Sequence, residues 1–137
     1  MRKELADILY KEFPALYPLD TYFFYGFEIA DGWFDLIYKL SKDIVAIIPE
    51  RDPNLIETDE YLEVVDYVVN TVKTKFGGLR FYMSHTTEEM DTLIAKAEDD
   101  SYFTCGACGK FNKDDAKHDY KSKGLCKNCS IIKEILE

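Results

Sequence analysis

Four cysteines are the residues of this 137-residue chain whose type and spacing could do chemistry. They form two pairs, Cys105 with Cys108 and Cys126 with Cys129, and 17 residues separate the pairs. The pattern C-x2-C-x17-C-x2-C lies inside the spacing window of structural zinc sites. Two thiolates three positions apart on a tight turn can face one ion, and a second pair completes a tetrahedron. The spacing predicts one structural Zn²⁺ per chain, with no open position for catalysis.

Other interpretations of the same cysteines stay open at the level of sequence. A C-x-x-C pair can be a redox dithiol, although such a pair usually stands alone beside a βαβ pattern. Four thiolates also suit an iron–sulfur centre or a single iron ion. His118 is not expected to be a ligand, because four thiolates already fill the coordination shell.

The segments around the cysteines predict a small C-terminal module, residues 103–137, after an acidic body, residues 1–102. A short strand at Phe103-Thr104 leads into the first pair, and the second pair begins a terminal helix with an apolar stripe, namely Ile131, Ile132, Ile135 and Leu136. This order resembles a treble-clef zinc finger. A 35-residue module is too short for its own hydrophobic core, so the metal should supply most of its order.

The charge of the chain divides at the same boundary. The net charge is −9 overall, −11 over residues 1–102 and +2 over residues 103–137. Hydrophobic residues make up 47% of the sequence, which excludes a disordered acidic protein. The length excludes a multi-domain enzyme, and the acidity excludes a uniformly basic nucleic-acid binder.

Hydrophobic periodicity predicts an α+β body that is mostly helical with a small β-sheet. The predicted elements are a helix over residues 5–13, a strand over 21–29, a helix over 32–48 with Asp31 as N-cap, and a strand over 79–83. Thr86 and Glu89 form a predicted capping box that opens the next helix, whose inward residues would be Met90, Leu93, Ile94 and Ala97.

Residues 59–76 suit two structures. A stripe of Tyr61, Val65, Val68 and Val72 predicts a helix, whereas the valine content suits a strand with Gly77-Gly78 as a hairpin turn. The helix is favoured because about 17 residues is long for a strand.

Three cations and an aromatic ring near this glycine turn form a candidate interaction surface, namely Lys73, Lys75, Arg80 and Tyr82. The surface could bind nucleic acid. The structural alternative is that the lysines complement a helix dipole and that Arg80 pairs with a carboxylate of the body.

Catalytic groups are sparse. Glu28, Asp31 and Asp35 could form a carboxylate site, but capping and solvation explain them more simply, and His85 and His118 are the only histidines. No phosphate-binding or nucleophile motif is present, so we do not expect an enzyme.

Acids at positions 4 and 7 argue against a signal peptide, and the apolar run at residues 44–48 is too short to span a membrane. The expected location is the cytoplasm, where thiols stay reduced.

Four segments together resemble a group of small proteins of bacteriophages and prophages. They are DGWFDLI at residues 31–37, VKTKFGGLRFY at 72–82, CGACG at 105–109 and LCKNC at 125–129. The chain departs from the group at Thr74, where an acidic residue is common, and in the loop over residues 110–123. The resemblance implies a zinc finger and a phage setting but no activity.

The resulting hypothesis is a zinc-stapled protein that binds another protein, such as a host defence factor that it inhibits. The aromatic-rich, acidic composition without a catalytic set motivates it. The alternative is a nucleic-acid-binding zinc-finger regulator.

Overall fold

A computed structural model describes residues 1–18, 24, 26–49, 67–112 and 125–136. In these residues the chain forms four α-helices, α1 to α4, three strands, β1 to β3, and one 3-10 turn. Their bounds in chain order are α1 Lys3–Glu12, β1 Phe27–Glu28, the turn Asp31–Trp33, α2 Phe34–Ala46, β2 Val69–Lys75, β3 Gly78–Met83, α3 Glu88–Ser101 and α4 Lys127–Leu136. The predicted α+β class is confirmed, with four helices and a three-stranded sheet. Of the strand predicted over residues 21–29, β1 is the part that forms, and residues 19–23 and 25 lie outside the described residues.

The sheet has the order β1-β2-β3, with β1 parallel and β3 antiparallel to β2. Paired residues share a face, so Phe27, Val72 and Phe81 line up across the three strands on the inner side. Helices α1, α2 and α3 cover that side with a continuous apolar core. Its buried helical residues include Leu9, Ile37, Leu40, Ile44, Met90 and Ile94.

The helix predicted over residues 59–76 is wrong where the structure describes it. Residues 69–75 form β2, which turns into β3 through Phe76 and Gly77, while residues 59–66 lie outside the described part. Both turn residues have positive φ, 54° and 82°, as a type I′ hairpin requires. The alternative strand with a glycine turn is therefore the correct one, with the turn one residue earlier than Gly77-Gly78. Residues 69–75 form a strand because they pair with β1 and β3, and a local sequence pattern does not predict such pairing.

Two predicted helix caps also need correction. Thr87, not Thr86, is the N-cap of α3, and its Oγ1 accepts a hydrogen bond from the Met90 N–H at 3.3 Å. Asp31 does not cap α2. Its carboxylate instead accepts the Arg2 N–H at 2.7 Å and forms an ion pair with the Arg2 Nε at 2.8 Å. A short polar side chain before an apolar run marks a cap by sequence, but a cation from a distant segment competes for it.

Tyr17 is a fully buried tyrosine in the helical layer. Its hydroxyl lies 2.7 Å from the Ser41 Oγ, which itself donates to the Ile37 carbonyl at 2.7 Å. Because the serine proton is used there, the Tyr17 hydroxyl donates to Ser41. Burial raises the pKa of Tyr17 well above its usual value of 10, and the hydrogen bond to Ser41 offsets this only in part.

We expect this tyrosine to make the fold sensitive to alkali. Above pH 10 the unfolded chain loses the Tyr17 proton while the folded chain keeps it, so the free energy of unfolding falls by about 1.4 kcal/mol per pH unit. Tyr17→Phe should cost about 1 kcal/mol at pH 7 through the lost hydrogen bond, yet lose less stability between pH 10 and 11. Urea unfolding of both proteins from pH 7 to 11 measures this, and parallel pH profiles would contradict it.

Candidate metal centre

The first cysteine pair lies on a turn whose backbone closes on itself. The Cys105 N–H donates to the Lys110 carbonyl at 2.8 Å, and the Gly109 N–H donates to the Cys105 carbonyl at 2.9 Å. Gly109 has a φ of 76°, a conformation that glycine adopts without strain. The Sγ of Cys105 accepts the backbone N–H groups of Ala107 and Cys108, each at 3.4 Å. These contacts hold the buried Cys105 sulfur at the centre of the turn, called here the first knuckle, residues 105–110.

Short antiparallel pairing flanks the first knuckle on both sides. Thr104 forms a bridge with Phe111, and the Asn112 N–H donates to the Phe103 carbonyl at 3.0 Å. The predicted short strand at Phe103-Thr104 is thus an isolated bridge. The second pair of cysteines lies at the start of α4, with Cys126 just before the helix and Cys129 in its first turn.

The structure brings all four sulfurs together. The four Sγ atoms lie within 4.8 Å of one another, and the Sγ atoms of Cys108 and Cys126 are 3.9 Å apart. A tetrahedral ion with metal–sulfur bonds of about 2.3 Å would separate its sulfurs by about 3.8 Å. The cluster Cys105, Cys108, Cys126 and Cys129 could therefore hold a metal ion.

Protonation differs among the clustered thiols. Burial acts to raise the pKa of Cys105, but hydrogen bonds from the backbone of Cys108, Cys126 and Ala107 outweigh it and lower the pKa to about 6. A hydrogen bond with the Cys126 thiol, aided by burial, raises the pKa of Cys129 to about 12. The thiolate form is thus favoured at Cys105, whereas Cys129 keeps its proton. A bound cation would let the other thiols ionise as well, so metal uptake releases protons.

The first knuckle is docked on the body by residues that sequence reasoning did not connect to it. The Trp33 Nε1–H donates to the Thr104 carbonyl at 2.7 Å, and the Gly32 N–H donates to the Gly106 carbonyl at 2.7 Å. A Cβ on Gly32 would overlap the Cys105 carbonyl oxygen, so only glycine allows this approach. These contacts cross the predicted boundary at residue 102. The division into a body and a module remains a prediction.

The candidate interaction surface also comes together in space. Lys73 lies directly opposite Arg80 in the hairpin, and the alternation of strands places Lys75 and Tyr82 on the same side. These four residues, Lys73, Lys75, Arg80 and Tyr82, are called here the outer face. Glu28 of β1 pairs in register with Lys73 and shares that side.

The hydrogen bonds of Arg80 go to groups other than a carboxylate, while the Glu98 carboxylate of α3 interacts with its charge. The Arg80 Nη1 donates to the Leu79 carbonyl at 2.9 Å and to the Tyr102 hydroxyl at 3.2 Å. The Tyr102 hydrogen bond raises the pKa of Arg80 above its usual value. The guanidinium is therefore positioned on the outer face by a residue three positions before Cys105.

The three acids considered for a carboxylate site have separate surroundings. Asp31 binds Arg2, Glu28 lies beside Lys73 in the sheet, and Asp35 is exposed on the first turn of α2. His118 lies outside the described residues.

In the part of the chain that the structure describes, no helix combines the length and the apolar character needed to cross a membrane. A comparison of the chain with protein-family models, with curated proteins and with solved structures finds no match.

Proposed function

We propose that this chain is a small zinc-stapled protein that acts, without catalysis, by binding another protein. Four sulfur donors at tetrahedral spacing support a structural Zn²⁺, because thiolates suit zinc and its d¹⁰ shell accepts a tetrahedron without penalty. Four protein ligands leave no position for a substrate or a water molecule. The ion would thus serve folding and not chemistry.

The order of elements around the cysteines supports a treble-clef-like finger. A knuckle between two short paired segments supplies the first two ligands, and the start of α4 supplies the others. In such an arrangement the ion fixes the first turn of the helix relative to the first knuckle. Since the knuckle is docked on Gly32 and Trp33, the ion would also fix α4 relative to the body.

The observation that carries the binding proposal is the set of exposed isoleucines on α4. The side chains of Ile131, Ile132 and Ile135 are 44%, 55% and 76% exposed. Large apolar side chains grouped on one short helix are unfavourable in water and mark surfaces that a partner covers. A helix of ten residues with such side chains suits an apolar groove on another protein.

The proposed partner is a protein of a bacterial host, met in its cytoplasm, and the proposed effect is inhibition or modulation of a defence factor. The resemblance to phage proteins supports this setting. The net charge of −9 would favour approach to a partner with a basic surface and raise the association rate. The alternative, nucleic-acid binding, would use the outer face instead of α4.

Replacing Ile135 tests the role of α4. We expect the zinc-loaded chain to retain a specific host protein from a bacterial lysate and Ile135→Glu to reduce its recovery at least tenfold, because the charge would enter an apolar groove. Ile8→Glu is the matched control, since Ile8 is a 41% exposed isoleucine on α1. Quantitative mass spectrometry of the eluates measures the effect. Equal loss in both variants, or no protein retained by the native chain, would contradict the proposal.

A further inference from the structure

The outer face combines positive charge with an exposed aromatic ring on a three-stranded sheet. The three cations are Lys73, Lys75 and Arg80. Tyr82 lies two residues after Arg80 in β3, and its side chain is 49% exposed. Phe76, at the turn, is 60% exposed. From Tyr82 to the turn the strand spans roughly 13 Å.

The Phe76 and Tyr82 rings have different neighbours. Lys75 Nζ lies 5.6 Å from the centroid of the Phe76 ring, so a cation covers one side of that ring. Tyr82 pairs with Thr71, a small side chain that leaves the phenol ring accessible across the strands. Bases stack on such rings without regard to sequence, and cations at their sides contact the phosphates.

The edge of β3 is not available for pairing with a peptide strand. The Leu79 N–H donates to the Ser101 Oγ at 2.8 Å, and the Phe81 N–H donates to the Glu98 Oε2 at 3.1 Å. Helix α3 thereby satisfies two of the donors that strand addition would need. Among the residues that the structure describes, the Tyr102 ring covers the outer face at Gly78, and the face stays exposed at Lys75 and Tyr82. That exposed part favours a ligand with flat rings and negative charge over an extended peptide.

Charge on the outer face is locally positive within an acidic chain. Among the residues of the three strands, Glu28 is the only acid, against Lys73, Lys75 and Arg80 on the same face. The Glu98 carboxylate of α3 lies beside this face, at the edge of β3. At physiological salt the Debye length is about 8 Å, which screens the distant acids more than it screens contacts to phosphates. The Tyr102 and Leu79 bonds hold Arg80 in place before any ligand arrives.

We propose that the outer face binds single-stranded nucleic acid without base specificity. The Tyr82 ring stacks with a base, while Lys73, Lys75 and Arg80 contact phosphates. This activity uses a different surface from α4, so either proposal can fail without the other.

Fluorescence anisotropy of the zinc-loaded full chain tests this binding. The probes are a labelled 12-nucleotide single strand of mixed sequence, its duplex, and a labelled 12-residue polyglutamate peptide, each at 50 and 200 mM KCl. We expect the single strand to bind at least tenfold more tightly than either other probe. Tyr82→Ala should weaken it about tenfold, as loss of one stacked base does, whereas Tyr82→Phe should change it less than twofold.

The double variant Lys73→Ala/Lys75→Ala should reduce the magnitude of the salt slope by about 1.4, since each phosphate contact with a single strand contributes about 0.7. Lys39→Ala/Lys42→Ala is the matched control, because it removes the same charge from exposed sites on α2. Circular dichroism and metal content confirm that each variant is folded. Equal weakening by both double variants, an unchanged affinity in Tyr82→Ala, or equal affinity for polyglutamate would overturn the proposal, the last in favour of an acidic protein partner.

Discussion

Cys105→Ser is expected to abolish metal binding and to release α4 from the first knuckle. The native chain should contain about one zinc ion, and the variant close to none, by elemental analysis after gel filtration. Cys105 is a buried cysteine of the cluster, and its sulfur accepts two backbone N–H groups. Serine would replace this sulfur by a hydroxyl, which is a poor zinc ligand. The loss of affinity should exceed the 10- to 100-fold that removal of a supporting residue costs.

The same variant should separate the tail from the body. Structural zinc contributes on the order of 10 kcal/mol to finger peptides, so α4 should lose its amide protection in hydrogen exchange. The apolar core formed by α1, α2, α3 and the sheet contains none of the cysteines, so those elements should stay protected. Emission from Trp33 should still change, because its Nε1–H loses an ordered Thr104 carbonyl.

Two outcomes would contradict the metal proposal. One is a chain that is metal-free yet keeps α4 protected, and the other is visible absorption with stoichiometric iron, which would replace zinc by an iron site. Lys96→Ala is the control, since it removes an exposed ion pair with Asp100 at 3.2 Å that should contribute little to stability. It should keep its metal and its exchange pattern.

Local patterns predict the parts of this fold that depend on neighbours in sequence. The periodicity of α2 reports its buried face, and Trp33, Ile37, Leu40 and Ile44 are buried as expected. The spacing of the cysteines likewise reports their convergence, because a ligand pair on a turn has few geometries that place both sulfurs on one ion. Each of these predictions needs only residues that are close in sequence.

Local patterns do not predict β2, residues 69–75, because its strand conformation depends on pairing with residues distant in sequence. The predicted helical stripe includes Val72, which β2 also buries together with Val69, so one valine fits both a helix and a strand. The hairpin turn requires the positive φ of Phe76. The sequence does not predict it, because phenylalanine rarely adopts that conformation. Only Gly77 carried a signal, and it suited a helix end equally well.

The knuckle-supporting residues were hidden for a different reason. Gly32 and Trp33 lie 73 and 72 positions before Cys105. Each already had a role in the predicted helix over residues 32–48, Gly32 as its first residue and Trp33 as part of its apolar face. Their second role appears only when the knuckle is placed against them. The aromatic ring is buried in the core while its N–H binds the knuckle backbone, so Trp33 connects the two parts of the protein.

Gly32→Ala is therefore expected to damage the metal centre without changing any ligand. The new Cβ would overlap the Cys105 carbonyl oxygen and lie 2.5 Å from the Gly106 carbonyl carbon, and backbone cannot rotate away as a side chain can. We expect a loss of about 3 kcal/mol in the free energy of unfolding, at the upper end for overpacked sites, and a 10- to 100-fold weaker metal affinity. Urea unfolding and competition with a chromophoric chelator measure the two effects.

Gly26→Ala is the matched control for this substitution. Gly26 has a φ of 87°, and a Cβ added there would lie farther than 4 Å from the other described residues, so an alanine adds backbone strain but no contact with them. It should cost about 1 kcal/mol and leave metal affinity unchanged. If both variants weakened metal binding equally, general destabilisation would explain the effect. If Gly32→Ala alone weakened it, the close approach of the Gly32 turn to the first knuckle would be what holds Cys105 in its ligating position.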